Sequence, residues 1–316
     1  MGIVVENGGF LTSVQDEGRY GYQKYGMSPS GAMDQRSLYW ANILVGNPKG
    51  EGTLETCFMG LRIRFTEANF IAITGGDLTP RINGVDVPMY QAIRANVGDE
   101  LSFEGMKNGA RAYVAFAGGL DIPVVMGSKS TAMRYQIGGY EGRKLQKGDE
   151  IGFAHPQTEL PNLSFRRVSK EVFPKKEAVL RVVLGPQEDC FTDRGIKHFF
   201  WYPKTITNEF DRMGCRLECE PVEHNGDGNI ISDGIAFGSI QIPPNGKPII
   251  MLADRQTVGG YTKIGSVASV DLPLLTQSMP GMQVRFVQIS LELAQDLYAR
   301  QMKRMETFEK TVNGLS

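Results

Sequence analysis

The polar residues best placed to do chemistry follow an apolar stretch that ends at Leu252. They lie in the segment Ala253-Asp-Arg-Gln-Thr-Val-Gly-Gly-Tyr-Thr-Lys-Ile-Gly265. Asp254 can accept a hydrogen bond from a substrate N–H, and Gln256 can both donate and accept. The Gly259-Gly260 pair lets a ligand approach the backbone without obstruction by a Cβ atom. The segment predicts a binding site for a small amide, and the alternative is a hairpin turn stabilised by its Asp-Arg pair.

A second group of such residues lies near the N-terminus, in Ser13-Val-Gln-Asp-Glu-Gly-Arg-Tyr-Gly-Tyr22 and Gly31-Ala-Met-Asp34. Asp16 could orient the Arg19 guanidinium so that it holds a carboxylate or phosphate through two parallel hydrogen bonds. The alternative is a structural salt bridge beside a turn. Asp211-Arg-Met-Gly214 could supply a further wall of a pocket, with ordinary turn chemistry as its alternative.

A third group, Gly127-Ser-Lys-Ser-Thr131 with the nearby Arg134, offers hydroxyls, backbone amides and cations that together suit an anion. It lacks the two glycines of a P-loop, so it predicts no complete ATP-binding loop. A long polar connecting loop is an equally good interpretation. The cysteine and histidine spacing predicts no metal site, because it matches no zinc-ligand pattern.

The elements that must position these groups read mainly as strands. Short apolar segments rich in Val, Ile and Phe alternate with turn residues, and 38 glycines favour closed barrels or packed sheets. Helices are predicted near Asp34, near Glu188 or Asp189, and from Leu291 to Phe308. A turn glycine followed by alternating apolar positions recurs in three segments: Val97–Phe103, Lys147–Phe153 and Pro280–Phe286.

The length of 316 residues predicts two domains, 1–160 and 161–316, with the boundary in the polar, proline-containing stretch from His155 to Glu177. Lys plus Arg total 34 against 35 for Asp plus Glu, so no net field draws the chain to nucleic acid or to a membrane. Because no signal peptide and no stretch of ~20 apolar residues is visible, we expect a cytoplasmic protein.

Six segments of the chain together resemble the KipA, or allophanate hydrolase subunit 2, family. They are Thr12-Ser-Val-Gln-Asp-Glu-Gly-Arg19, Ser30-Gly-Ala-Met-Asp34, Gly127-Ser-Lys-Ser-Thr131, Gly185-Pro-Gln-Glu-Asp189, Asp211-Arg-Met-Gly214 and Asp254-Arg-Gln-Thr-Val-Gly-Gly-Tyr261. The family includes the C subunit of bacterial ATP-dependent 5-oxoprolinase and biotin-dependent carboxyltransferase domains. The resemblance implies a mainly β fold with two cyclophilin-like β-barrel domains, few helices and a C-terminal helix.

In function, the resemblance implies a chain that cleaves 5-oxoproline to L-glutamate with ATP and Mg, together with KipI-like B and LamB/YcsF-like A subunits. The residue roles that we expect on this basis fall into three sets. The catalytic set is Asp254, Arg255 and Gln256; the substrate-binding set is Asp16, Arg19, Asp34, Asp211, Arg212, Thr257, Gly259, Gly260 and Tyr261; and the phosphate-binding set is Ser128, Lys129, Ser130, Thr131, Arg134 and Lys263.

Two alternatives to the hydrolase function stay open. The same family resemblance is compatible with carboxyl transfer from biotin, carried on a separate protein, to urea. It is also compatible with a regulatory antagonist that only binds a KipI-like kinase inhibitor and needs no turnover. The sequence does not separate these functions, because all of them use a partner contact.

Overall fold

The computed structural model describes residues 2–314, which form two compact units. Within the described residues, the first unit comprises 2–19, Ser30–Phe173 and 302–314, and the second comprises Tyr20–Pro29 and Pro174–Gln301. The division into domains 1–160 and 161–316 stays a prediction. Within residues 2–314 the chain has nineteen strands and four α-helices, so the mainly β class with few helices is confirmed.

The first unit contains eleven strands in two antiparallel sheets. The strands are β1 Gly2–Gly8, β2 Leu11–Gln15, β3 Thr53–Cys57, β4 Leu61–Phe65, β5 Asn69–Asp77, β6 Pro80–Ile82, β7 Val85–Asp86, β8 Ala92–Ala95, β9 Glu100–Phe103, β10 Asn108–Phe116 and β11 Glu150–Gly152. One sheet has the order β11-β1-β4-β9-β6-β7 and the other β2-β3-β10-β5-β8. The segment that contains Asp16 lies between β2 and β3 in the chain and follows β2 directly.

Alternating burial explains how these sheets enclose a core. In β4, Leu61, Ile63 and Phe65 are fully buried, whereas the two intervening arginines are exposed. Side chains from both sheets meet in one apolar cluster, for example Val5 of β1 and Val114 of β10. The first unit is therefore two sheets around a shared core.

Helix α1, Gln35–Val45, packs on the outer side of this unit against Ala72 and Tyr113. It begins where the Asp34 carboxylate accepts a hydrogen bond from the Ser37 backbone N–H, and it ends at Gly46 in the left-handed conformation. The predicted helix near Asp34 is thus confirmed, and its capping residues explain both of its ends.

The second unit contains the remaining eight strands. They are β12 Glu177–Leu184, β13 Lys204–Phe210, β14 Gly214–Glu218, β15 Asn229–Gly234, β16 Ser239–Ile242, β17 Ile249–Met251, β18 Val258–Val267 and β19 Gln283–Gln288. Their order is β12-β19-β13-β14-β17-β16-β18-β15, and a further pairing joins β12, the first strand of this row, to β18, the last but one. Seven strands therefore close into a barrel, and β15 is attached to β18 outside it.

Three helices follow in chain order: α2 Asp193–Trp201, α3 Leu272–Thr276 and α4 Leu291–Asn313. The predicted C-terminal helix is confirmed in α4, where the Phe308 ring lies 5.5 Å from the Trp40 ring. Near Glu188 the chain forms only a short 3-10 turn, Glu188–Cys190, and α2 begins later, after its cap at Thr192. No helix within residues 2–314 is long and apolar enough to cross a membrane.

The recurrent turn-and-strand pattern is also confirmed. Gly98, Gly148 and Gly281 have φ values of 88°, 92° and 88°, in the left-handed region where glycine avoids the strain of a side chain. Each precedes a strand, β9, β11 and β19 respectively. This glycine turn before a strand therefore occurs in both units.

Candidate functional site

The N-terminal polar segment of the first unit folds around the carboxylate of Asp16. Asp16 Oδ1 accepts hydrogen bonds from the Gly18 N–H at 2.7 Å, from Ser128 Oγ at 2.7 Å and from Ser130 Oγ. Asp16 Oδ2 accepts from the Lys129 N–H at 2.6 Å. Residues 128–130 do cradle an anion, as their composition indicates, but that anion is a side chain of the protein itself.

Neighbouring groups of this cluster are also engaged within the first unit. Lys129 Nζ donates to Glu51 Oε1 at 2.6 Å and to the Leu120 carbonyl at 2.9 Å. Thr131 Oγ1 donates to the Val14 carbonyl at 3.0 Å. The fully buried Arg19 donates to the Ser130 carbonyl. These contacts give the segment a structural role, while the predicted phosphate-binding and substrate-binding roles of its residues stay predictions.

Asp34, expected to bind substrate, is fully buried at the start of α1. Its carboxylate accepts from the Ser37 N–H at 2.9 Å and from Ser37 Oγ at 2.7 Å, while its backbone N–H donates to Tyr113 Oη at 2.8 Å. Tyr113 Oη in turn donates to Glu55 Oε2 at 2.7 Å. Burial, reinforced by the nearby Glu55 charge, raises the pKa of Tyr113, which keeps the phenol protonated as a donor. Asp34 thus serves as a helix cap.

In the second unit, Asp254 forms a bidentate ion pair with Arg212. The distances are 2.9 Å from Arg212 Nε to Oδ2 and 3.1 Å from Nη2 to Oδ1. The Asp254 backbone N–H also donates to the Arg212 carbonyl at 2.7 Å. Both side chains are largely buried, with 13% and 6% of their surfaces exposed. The pair therefore holds the turn after β13 against the segment after β17.

Arg255 is turned into the second unit rather than toward solvent. Its Nε donates to the Ile235 carbonyl at 2.9 Å and its Nη1 to the Leu252 carbonyl at 3.2 Å. Ser28 Oγ donates to the Arg255 carbonyl, which anchors the backbone of the same segment. Burial lowers the pKa of Arg255 to about 10. The buried Arg255 side chain thus stabilises the segment after β17 through hydrogen bonds to two backbone carbonyls.

Three predicted residues, Asp211, Gln256 and Tyr261, share a cavity of about 410 Å³ in the second unit. Its other lining residues are Asn208, Glu209, Phe210, Met213, Gly214, Arg216, Gln241, Ile249 and Met251. The lining joins amide, phenol and carboxylate groups to an apolar wall of two methionines, an isoleucine and a phenylalanine. Such a site can hold a small planar amide that carries an apolar ring.

Strand register explains why residues far apart in the chain meet here. Arg216 of β14 pairs with Ile249 of β17, Ile249 pairs with Gln241 of β16, and Gln241 pairs with Lys263 of β18. Residues directly opposite on neighbouring strands point to the same face of a sheet. Tyr261, two residues before Lys263, shares that face. Of the residues on this face, Arg216, Ile249, Gln241 and Tyr261 line the cavity, and Lys263 lies outside its lining.

Gln241 is the residue that sequence reasoning missed. It is 3% exposed and lines the cavity, and within residues 2–314 its Nε2 has no hydrogen-bond partner. A Cβ atom at Gly259 would lie only 2.6 Å from that nitrogen, so the glycine reserves the space that the amide occupies. The available signal was a glutamine flanked by Ile240 and Ile242 in a strand that is buried throughout.

The remaining predicted residues lie outside this cavity. Lys263 Nζ is 3.0 Å from Asp233 Oδ2, and this contact lowers the pKa of Asp233. The Thr257 carbonyl accepts from the Ile235 N–H at 3.1 Å, and Gly260 faces β15. Arg134, in the first unit, is exposed beside the Tyr135 ring.

Comparison with known proteins gives concordant matches. The family described as carboxyltransferase domain, subdomain A and B, matches residues 25–288. The chain is 36% identical to the C subunit of 5-oxoprolinase from Escherichia coli, over 93% of this chain and 92% of that protein. It is 32% identical to the C subunit of 5-oxoprolinase from Haemophilus influenzae, over 93% and 95% of the respective lengths.

A solved structure extends the likeness to a larger enzyme. The crystal structure of Kluyveromyces lactis urea carboxylase aligns with a TM-score of 0.89 at 28% identity. The alignment covers 97% of this chain but only 29% of that one, so the chain corresponds to less than one third of the urea carboxylase.

Proposed function

The chain belongs to the carboxyltransferase domain, subdomain A and B, family, and from this premise we propose that it is the C subunit of an ATP-dependent 5-oxoprolinase. Two relatives named as that subunit match it over more than nine tenths of their own lengths, as the shares of 92% and 95% state. The observation that carries the proposal is the cavity of the second unit, which presents Gln256, Tyr261 and Gln241 to a small amide.

In this function the chain binds and orients the lactam. 5-Oxoproline combines a planar amide, a carboxylate and an apolar ring, and the cavity offers an amide-rich side and a wall containing Met213 and Met251. Asp254 acts as a positioning residue, because both of its oxygens bind Arg212 and hold the two loops that border the cavity. Gln256, Asp211 and Tyr261 are the groups assigned to substrate contact.

ATP and its Mg ion are co-substrates of the assembled enzyme in this proposal. We place phosphate contact at Lys263 or Arg134 rather than at residues 128–131, whose side-chain donors bind the Asp16 and Glu51 carboxylates and neighbouring carbonyls. The other members of the complex are KipI-like B and LamB/YcsF-like A subunits, and the cytoplasm is its compartment.

The proposal is tested by measuring glutamate release from 5-oxoproline with and without ATP, using the chain alone and the complex co-purified with its native partners. We expect ATP-dependent release by the complex, and loss of that release in the Gln256→Ala complex. Lys176→Met, an exposed position outside the cavity, is the control. A verified complex that releases no glutamate contradicts the proposal.

Carboxyl transfer is the second candidate, favoured by the close alignment with the urea carboxylase structure. Urea is also a small planar amide, and the biotin would be carried by a separate protein. The same complex is therefore assayed with urea, bicarbonate, ATP and a biotinylated carrier protein. Carboxylation of urea without turnover of 5-oxoproline selects this function, and partner binding without either reaction selects the regulatory antagonist.

A further inference from the structure

The Gln241 side chain occupies an unusual position for a buried amide. Its Nε2 is sealed from water and has no hydrogen-bond partner within residues 2–314, yet the residue lines the cavity. We propose that Gln241 recognises the carbonyl oxygen of the bound amide, donating a hydrogen bond from Nε2 after rotation of its side chain. This assignment deepens the proposed function and rests on it for the identity of the substrate.

The unpaired Nε2 donor of Gln241 carries an energetic cost. A buried N–H donor without a partner has lost its hydrogen bonds to water and gained none from the protein, which destabilises that arrangement. Any acceptor that enters the cavity and reaches Nε2 removes this cost. A carbonyl oxygen is such an acceptor, and a CH2 group at the same position is not. The Gln241 amide therefore favours a ligand that places a carbonyl oxygen, rather than a CH2 group, beside Nε2.

Gly259 packs closely against the Gln241 amide. A Cβ at position 259 would approach Gln241 Nε2 to 2.6 Å and Ile235 Cδ1 to 2.8 Å, so the ends of both side chains would have to move. Gly259 has no left-handed backbone that would itself require glycine. With glycine at 259, the Gln241 amide keeps its present position beside the cavity without displacement.

Gln241 has both apolar and polar neighbours on its face of the sheet. Its register partners on the shared face are Ile249 and Lys263, and Tyr261 lies on the same face. Ile249 lines the cavity, so it offers an apolar contact beside the amide that suits the flat face of a lactam ring. Within that setting, a single donor that rotates toward the cavity determines which end of a planar amide faces Gln241.

The experiment compares ligands that differ at the carbonyl. Binding of 5-oxoproline, 2-pyrrolidinone and L-proline to the full-length chain is measured by calorimetric titration for the wild type, Gln241→Met and Gln241→Glu. We expect both substitutions to weaken the two lactams about tenfold or more, because each removes the donor. L-Proline, which has no ring carbonyl, should bind equally to all three. Gln283→Met, at an exposed position of the same barrel, should change nothing.

A measurement on the wild type complements the variants in case they do not fold. In the nitrogen-15 NMR spectrum, one buried side-chain amide should shift as 2-pyrrolidinone is added and should stay in place as L-proline is added. Equal lactam affinity in wild type and Gln241→Met overturns the proposal, as does the absence of lactam binding by the chain or of any shifting amide.

These outcomes are separable from those of the proposed function. If the complex hydrolyses 5-oxoproline but substitution of Gln241 leaves lactam affinity unchanged, only the carbonyl-binding role of Gln241 is wrong. If lactam binding depends on Gln241 but the verified complex releases no glutamate, the hydrolase function fails and the recognition of a carbonyl stands. In an active complex, we further expect Gln241→Met to raise KM for 5-oxoproline more than it lowers kcat.

Discussion

The cluster around Asp16 and the cavity around Gln241 both contain buried polar side chains, and they differ in what those side chains contact. In the first unit, four donors converge on one carboxylate, from the backbone of Gly18 and Lys129 and from two serines. In the second unit, Gln241 keeps a buried donor without a partner within residues 2–314, beside an open cavity. Unused hydrogen-bonding capacity, rather than the density of polar residues, marks the better site.

Removal of the anion from the first cluster should have the largest effect on stability. Asp16→Asn replaces an acceptor that binds the Lys129 N–H with a donor, and it weakens the bonds from the two serines. We expect the free energy of unfolding to fall by roughly 3 kcal/mol, because buried donors lose a charged partner. Urea unfolding of the full chain measures this loss.

The control for Asp16→Asn is Asp86→Asn, which breaks an exposed ion pair with Arg81. That substitution should change the free energy of unfolding by less than about 0.5 kcal/mol. Equal effects of the two substitutions would show that the Asp16 cluster does not hold its segment, and the contrast between the two regions would then be lost.

A smaller effect is expected where the cavity depends on an internal contact, at Arg212. Arg212→Lys keeps the charge but loses one of two parallel bonds to Asp254. We expect about 2 kcal/mol less stability by urea unfolding. In the active complex, glutamate release should fall about tenfold or more, since a displaced loop misplaces cavity residues.

The matched variant for Arg212→Lys is Arg216→Lys, because Arg216 pairs with Glu209 at the exposed rim of the same cavity. Its stability should stay within about 0.5 kcal/mol of the wild type. Full activity in an Arg212→Lys complex would show that the Asp254 pair does not position the cavity.

The smallest expected effect is the pH dependence of stability that comes from the buried Lys204. Lys204, 1% exposed, donates to the carbonyls of Phe199 and Tyr202, and burial lowers its pKa to about 8 from an ordinary 10.5. Between these two pH values the unfolded chain binds more protons at this site than the folded chain, so this site makes stability rise with pH. Lys204 thus differs from Asp16 in that its buried charge is held by neutral carbonyls.

The test of this sign is urea unfolding at pH 7 and pH 9 for the wild type and Lys204→Met. The stability difference, wild type minus variant, should increase by about 1 kcal/mol over this interval. Lys176→Met, at an exposed position, should show no such increase. A difference that is constant or falls with pH would mean that burial does not depress the Lys204 pKa.

Local features of the fold were predictable because their causes lie within a few residues. The alternation from Leu61 to Phe65 defines β4, and Asp34 and Gly46 define both ends of α1. The predicted helix start near Glu188 or Asp189 was a few residues too early, because only a 3-10 turn, Glu188–Cys190, forms there. The effective cap is Thr192, whose hydroxyl accepts from the Gly195 N–H.

Two residues of the segment from Ala253 to Gly265, Gln256 and Tyr261, line the cavity, and the amide-binding role of the segment stays a prediction. Its glycines and polar residues could be recognised from the sequence. The directions of Asp254 and Arg255 could not, because Arg212 and Ile235 lie 42 and 20 positions away. Spacing within the segment says nothing about either partner.

The sequence by itself therefore determined the strands, the capped helix and the turns, since backbone conformation follows from neighbouring side chains and their periodicity. Only the tertiary structure decided that the Gly127–Thr131 segment binds Asp16 and that Gln241 faces a cavity beside Gly259. The physical reason is that a donor's partner is set by which distant strands come into register. The same amide or hydroxyl is structural when that partner exists and available to a ligand when it does not.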